Sequence, residues 1–121
     1  MIMAAALTCG CSSNEQLRRT AIRILDQGNK EELIKDATEL YNRNQSSSGL
    51  VDIPQSEWPR SFLPFKPVRV WSYSTGIYIV MEKFVSHTAG VYIIISPGYI
   101  PANSSVSSHE FLYEGIYWTL S

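Results

Sequence analysis

Two histidines and three glutamates in the second half of the chain are the side chains best suited to chemistry. His87, His109 and Glu110 or Glu114 carry suitable atoms for a metal site, but their spacing matches no local ligand set. A general acid–base pair would have to be drawn from Glu82, Glu110 and Glu114, and nothing in the sequence sets their pKa values apart. The sequence also lacks a local nucleophile signature and a glycine-rich phosphate loop. We therefore predict that the protein is not an enzyme and has no catalytic residues, metal site or cofactor.

The charge balance argues against two classes of partner. The chain has 10 Lys and Arg against 11 Asp and Glu, which gives a net charge of −1. A nucleic-acid-binding domain, or one that binds an anionic membrane surface, normally carries a basic patch. We predict no nucleic-acid partner, and membrane contact only through a lipid anchor.

The two cysteines suggest such an anchor. Cys9 and Cys11 are too close in sequence for a stabilising disulfide and too few for a zinc site. They follow an apolar run over residues 1–8, and Cys11 has Gly10 before it and the polar segment 12–14 after it. This arrangement resembles the end of a bacterial lipoprotein signal peptide, in which small residues precede a cysteine that becomes lipidated. Cys11 is the better match and Cys9 the weaker one.

The resemblance implies a lipid on Cys11 and a location in the bacterial cell envelope. The apolar run is short and has no basic leader, so this interpretation requires a start codon upstream of Met1. The alternative is a soluble cytoplasmic interaction or regulatory domain with incidental terminal cysteines. We divide the chain into a signal-like segment, 1–13, and a single domain, 14–121.

The domain begins with a helical region, 15–43. Leu17, Ala21, Ile24 and Leu25 form one apolar stripe, and a second stripe follows in 33–41. Gly28 is expected to cap the first helix in a left-handed conformation. Asn29, with Glu32 three residues later, is typical of the start of a second helix.

A proline-rich connector, 44–67, separates the helices from the sheet. Its prolines disfavour a long helix or a central strand. We expect Trp58, Phe62 and Leu63 to close one edge of the core. The alternative is that this aromatic and proline-rich segment binds a groove on another protein.

The segment 68–121 predicts a sheet, because it repeats Gly-Ile-Tyr and Gly-Val-Tyr in runs rich in β-branched and aromatic residues. Three-residue hairpin loops at 74–76 and 88–90 would pair Tyr73 with Ile77 and His87 with Val91. These registers place on the core face Arg69, Trp71, Tyr73, Ile77, Ile79, Met81, Val91, Ile93 and Ile95. A last strand is expected from Phe111 to Leu120, with a bulge or close approach at Gly115. The predicted fold is α+β, an N-terminal helical pair packed on an antiparallel β-meander of about four strands.

The opposite face of this predicted sheet is the candidate interaction surface. It combines apolar and aromatic side chains with few charges, namely Tyr78, Val80, Phe84, Tyr92 and Ile94. Such a patch is typical of an interface with a protein partner or a second copy. The alternatives are that another segment covers it or that it binds a small ligand. We expect the double substitution of Tyr78 and Tyr92 by lysine to leave the fold intact but to alter the oligomeric state or the capture of a partner. The pattern of Trp-Pro, Pro-Val and repeated Gly-Ile-Tyr resembles small bacterial proteins of unassigned function.

Overall fold

A computed structural model describes residues 2–45, 49–101, 103–104 and 107–121, with side chains described from residue 14 onward. Two helices come first, α1 (Ile2–Gln27) and α2 (Lys30–Arg43). The predicted start of α2 is confirmed, because the Asn29 side chain accepts a hydrogen bond from the Glu32 backbone N–H at 3.1 Å. Gly28 does not take the predicted left-handed conformation. Its N–H instead continues the helical pattern by donating to the Ile24 carbonyl at 2.8 Å.

The helices pack on one antiparallel sheet, which confirms the α+β fold class. The described chain forms six strands rather than about four: β1 (Leu50–Asp52), β2 (Arg69–Tyr73), β3 (Gly76–Lys83), β4 (Thr88–Ile94), β5 (Ser108–Tyr113) and β6 (Ile116–Leu120). Their order across the sheet is β1-β2-β3-β4-β6-β5. β1 comes from the connector, where no strand was predicted.

The predicted last strand is a hairpin, which accounts for another of the additional strands. β5 and β6 are joined by a turn at Glu114 and Gly115. Gly115 has φ 79°, a left-handed conformation that glycine adopts without the steric cost of a Cβ atom. Gly115 itself therefore lies in a turn, and the irregularity in the strand pairing lies just before that turn, between Phe111 and Tyr113.

The first predicted hairpin register is wrong by one residue. Two residues, Ser74 and Thr75, lie between β2 and β3, so Ser72 rather than Tyr73 pairs with Ile77. A shift of one residue exchanges the faces of a strand. Trp71 and Tyr73 therefore lie on the face opposite to the helices, whereas Val70 and Ser72 are buried beneath them.

The second predicted turn is also wrong, but the faces of its strands are confirmed. Thr88, Ala89 and Gly90 belong to β4, and the loop before them spans residues 84–87. Ile77 pairs with Ile93, and Ile79 pairs with Val91. Since this register joins residues of the same parity, the isoleucines still share one face and the tyrosines the other.

The main core lies between the helices and the sheet. It buries Leu25 of α1, Leu33 and Leu40 of α2, and the sheet residues Val70, Ile77, Ile79, Val91, Ile93, Ile116 and Trp118. The connector contributes Phe62 and Phe65, so the expected role of Phe62 is confirmed. Trp58 packs against this core and donates from Nε1 to the Ile53 carbonyl at 3.0 Å. Leu63, by contrast, is half exposed.

Neither helix is both long enough and apolar enough to cross a membrane, as far as the described residues extend.

Candidate functional site

The face of the sheet opposite to the helices has a small apolar cluster of its own. Tyr78, Val80 and Tyr92 form its buried centre, and Trp71, Tyr73, Ile94 and Tyr117 pack around them. The helical core residues belong to a separate cluster on the other side of the sheet. We call this surface the helix-free face, and it is where the candidate interaction residues lie.

An aromatic row crosses the helix-free face from β2 to β5. Trp71 pairs directly with Tyr78, Tyr78 with Tyr92, Tyr92 with Tyr117, and Tyr117 with Phe111. The ring centroids are 6.0 Å apart for Trp71 and Tyr78, 6.0 Å for Tyr78 and Tyr92, and 5.8 Å for Phe111 and Tyr117. These separations are within the range of favourable aromatic pairs, and directly opposed cross-strand pairs stabilise a sheet.

Gly90 provides the space for the centre of the row. A Cβ atom at this position would lie 3.0 Å from Cε1 of Tyr78 and 2.0 Å from the Ile79 carbonyl oxygen. The Tyr78 ring therefore lies against the glycine backbone, an arrangement that compensates for a missing side chain within a strand. Its hydroxyl is 2.9 Å from the Thr88 Oγ1 and donates to the Thr119 carbonyl at 3.3 Å. Tyr78 is consequently only 3% exposed although no helix covers it.

Tyr92 is buried by different neighbours, Thr75 and Tyr73. Its hydroxyl forms a hydrogen bond with the Thr75 hydroxyl, and its ring is 6.0 Å from that of Tyr73. Burial raises the pKa of the Tyr92 phenol to about 12. Burial also raises the pKa of Tyr73 and that of Tyr78. These phenols therefore remain neutral hydrogen-bonding groups throughout the physiological pH range.

The accessible part of the helix-free face is its periphery. Trp71, Tyr73 and Tyr117 are half-buried, and Phe111, at the β5 end, is 61% exposed. At the β1 end, Leu50 is exposed, and the Arg69 guanidinium is 3.2 Å from the Asp52 carboxylate. The face thus offers aromatic side chains around a buried, hydrogen-bonded centre.

The structure brings together four of the five predicted interaction residues. Tyr78, Val80, Tyr92 and Ile94 share the helix-free face, whereas Phe84 lies in the exposed loop after β3. The first three are buried, so they can act only by supporting the residues around them. The accessible members Trp71, Tyr73, Phe111 and Tyr117 are absent from the set predicted from the sequence. The Gly-Ile-Tyr repeat at 115–117 was a usable signal for Tyr117, while Trp71 and Tyr73 required the correct hairpin loop length.

Four of the residues best suited to chemistry are divided between two cavities, since Glu82 and His87 line one and His109 and Glu110 line the other. The His109 Nδ1 is 2.9 Å from the Thr119 Oγ1 on the helix-free face, and partial burial lowers the pKa of His109. Glu110 lies on the other face, where it accepts hydrogen bonds from Arg18. His87 is exposed in the loop between β3 and β4. Among the residues that the structure describes, no three His, Cys, Asp or Glu side chains are grouped as metal ligands would be.

The lipidation candidate, Cys11, lies within α1, but its side chain is outside the described residues. Comparison of the chain with protein-family models, with curated proteins and with solved structures found no match.

Proposed function

We propose that this protein is a non-enzymatic interaction module that binds a protein partner through the helix-free face. The observation that supports the proposal is the aromatic row, whose half-buried and exposed members surround a buried, hydrogen-bonded centre. Aromatic residues are enriched at protein interfaces because they bury a large area with few rotatable bonds. A preformed row also reduces the ordering cost of binding.

The contact residues in this proposal are Trp71, Tyr73, Tyr117 and Phe111. Each presents part of an aromatic ring to solvent and is held from below or beside by another ring. The Asp52–Arg69 ion pair lies at one margin. An apolar patch with a charged rim is the usual organisation of an interface, so the matching partner surface is apolar with a polar edge.

We further propose that the module is a small bacterial envelope lipoprotein anchored through Cys11. The support is the sequence resemblance of residues 1–14 to the end of a lipoprotein signal peptide. The alternative, a soluble cytoplasmic interaction or regulatory domain, uses the same face without an anchor.

Photo-crosslinking in the native cells tests the face. A photoreactive phenylalanine analogue at Tyr117 should give a discrete cross-linked protein, whereas the same group at Glu39, exposed on α2, should not. Equal products from both positions would contradict the proposal.

Two lysine substitutions provide a matched comparison. Trp71→Lys should abolish the Tyr117 cross-link while the circular dichroism spectrum is retained, because lysine at a half-buried position can extend its charge into water. Phe84→Lys changes an exposed aromatic residue that lies off the row, and it should leave the cross-link unchanged. Loss of the cross-link in both variants would indicate that the aromatic row is not the specific contact.

Intact-mass analysis of the membrane fraction tests the anchor. The protein should carry the added mass of lipid, Cys11→Ser should remove it, and Cys9→Ser should retain it. An in-frame start codon upstream of Met1, followed by basic and apolar codons, should accompany this result. An unmodified mass in the wild type would favour the cytoplasmic alternative.

A further inference from the structure

The two edges of the sheet differ in their protection against pairing. β1 has three residues, and its last residue, Asp52, forms an exposed ion pair with Arg69 of β2. β5 has six residues and presents the 61% exposed side chain of Phe111. Short strands and charged side chains are the usual means by which proteins prevent edge-to-edge association. The β1 edge has both. The β5 edge is longer and more apolar, and the irregularity in its pairing with β6 lies after Phe111, between Phe111 and Tyr113.

The backbone N–H and C=O groups of Phe111 point away from β6, toward the open edge of the sheet. The His109 N–H donates to the Asn103 Oδ1 at 2.6 Å, so it points away from β6. Backbone groups in an antiparallel strand alternate between its two sides, and Phe111, two residues further on, has the same orientation as His109. Asn103 therefore occupies one end of the edge, while the N–H and C=O of Phe111 lie at its centre.

The charge on β5 is directed away from this edge. The Glu110 carboxylate accepts two hydrogen bonds from Arg18, at 2.7 Å from Nε and 2.6 Å from Nη2. These bonds hold the pKa of Glu110 below its usual value, and burial lowers that of His109. Near neutral pH the Glu110 carboxylate is thus ionised and paired with Arg18 of α1, and the His109 imidazole is uncharged.

We propose that β5 pairs with β5 of a second copy of this chain, antiparallel and about a twofold axis at Phe111. Phe111 then faces Phe111 of the second copy, and Glu110 faces Leu112, so no like charges are opposed. The two aromatic rows continue into each other across the axis. This inference rests on the proposed function, since it names a second copy as one partner and extends the same face. Asn103 confines the contact to the centre of the edge. The interface is therefore small, and we expect the dimer to be reversible.

Sedimentation velocity of the full chain over a range of concentrations tests the dimer. The mass should rise with concentration from 13.6 kDa toward twice that value. Phe111→Lys should remain monomeric throughout. Leu50→Lys is the matched control, because it places the same charge at a comparably exposed position beside the other edge and should dimerise like the wild type. A wild type that stays monomeric, or equal loss of dimer in both variants, would overturn the inference.

Cysteine cross-linking tests the register. Directly opposed residues of a hydrogen-bonded antiparallel pair have Cα atoms about 5.5 Å apart, which is within disulfide range. In a Cys9→Ser and Cys11→Ser background, Phe111→Cys should form a covalent dimer under mild oxidation, whereas Leu50→Cys should not. Equal cross-linking at the two positions, or capture of a different protein in place of a second copy at Phe111→Cys, would overturn the twofold pairing.

The two proposals fail in different ways. If the wild type is monomeric but Trp71→Lys still abolishes the Tyr117 cross-link, the dimer is wrong and the proposed function stands. If Phe111→Lys abolishes a real dimer but native cells yield no other cross-linked protein, the dimer stands and a separate partner is ruled out.

Discussion

The two faces of the sheet bury their side chains by different means. On the helix-covered face, aliphatic residues such as Ile79 and Ile93 are fully buried beneath α1, α2 and the connector. On the helix-free face, Tyr78 and Tyr92 are 3% and 8% exposed without a helix above them. Their rings cover one another, and their hydroxyls bond to Thr88 and Thr75.

The difference shows that aromatic residues can be buried within a single layer. On the helix-covered face the aliphatic side chains are stabilised by contact with a second layer, since the effect is proportional to the apolar area removed from water. Val80, the aliphatic member of the helix-free cluster, is buried among the aromatic residues around it. A tyrosine can lie along the sheet, bury its ring against a neighbouring ring and retain a hydrogen bond for its hydroxyl. The helix-free face can thus be stable by itself and still leave its outer aromatic residues accessible to a partner.

The most severe test of this comparison is Tyr78→Lys combined with Tyr92→Lys. The sequence pattern predicts a folded variant. The structure indicates the opposite, because two ammonium groups would be placed at buried positions beside apolar rings. We expect loss of cooperative unfolding, measured by circular dichroism during heating. Leu50→Lys, on the same face but exposed, should unfold cooperatively. A folded double variant would show that the centre of the face is more open than the structure indicates.

Ile79→Ala measures the contribution of the helix-covered face. Removing a fully buried aliphatic side chain leaves a cavity and should lower the free energy of unfolding by about 2–5 kcal/mol. Urea denaturation followed by tryptophan fluorescence gives this value. Val68→Ala, at a half-exposed position before β2, is a suitable control and should have a much smaller effect. Similar losses for the two variants would contradict the assignment of Ile79 to the core.

The phenols of the helix-free face predict sensitivity to alkali. Burial raises the pKa of Tyr92 from 10.0 to about 12, and it also raises those of Tyr73 and Tyr78. Because the unfolded chain ionises first, this stabilisation is complete below pH 10 and is lost as the pH rises toward 12. Denaturation midpoints should therefore fall over this range. A near-ultraviolet titration in which all seven tyrosines ionise together near pH 10 would contradict the burial.

The smallest expected effect is that of Tyr78→Phe, which tests the hydrogen bonds without removing the ring. Loss of the bonds to Thr88 and Thr119 should cost about 0.5–1.5 kcal/mol in the free energy of unfolding. Combining Tyr78→Phe with Thr88→Val in a double-mutant cycle isolates the hydroxyl pair. If the two effects are strictly additive, this hydrogen bond does not contribute to the stability of the face.

Much of the local structure could be predicted from the sequence. The helical region 15–43 lies within the two observed helices, although α1 begins earlier, at Ile2. This region and the Asn29 cap depend on side chains a few residues apart, and these interactions form within the element itself. The division of isoleucines and tyrosines between the faces of β3 and β4 follows from the two-residue period of a strand. The predicted faces of β3 and β4 are correct even though the predicted turn at 88–90 is wrong.

The candidate site could be predicted only in part. Tyr78, Val80, Tyr92 and Ile94 follow from alternation along two strands, but Trp71 and Tyr73 depend on whether the loop before β3 has two residues or three. Both loops are compatible with Ser74-Thr75-Gly76, and the observed two-residue loop places Val70 in the core. Phe111 joins the row because β5 pairs with β6, a contact set by the turn at Gly115.

The sequence by itself determined the helices from residue 15 onward, the cap and the alternation within the central strands, because these depend on neighbouring residues. The tertiary structure decided the six-strand order, the register of β2 and the alignment of aromatic residues from five strands into one row. Each of these depends on contacts between residues distant in the chain. In a sheet, a shift of one residue exchanges the two faces, so local propensity cannot specify them.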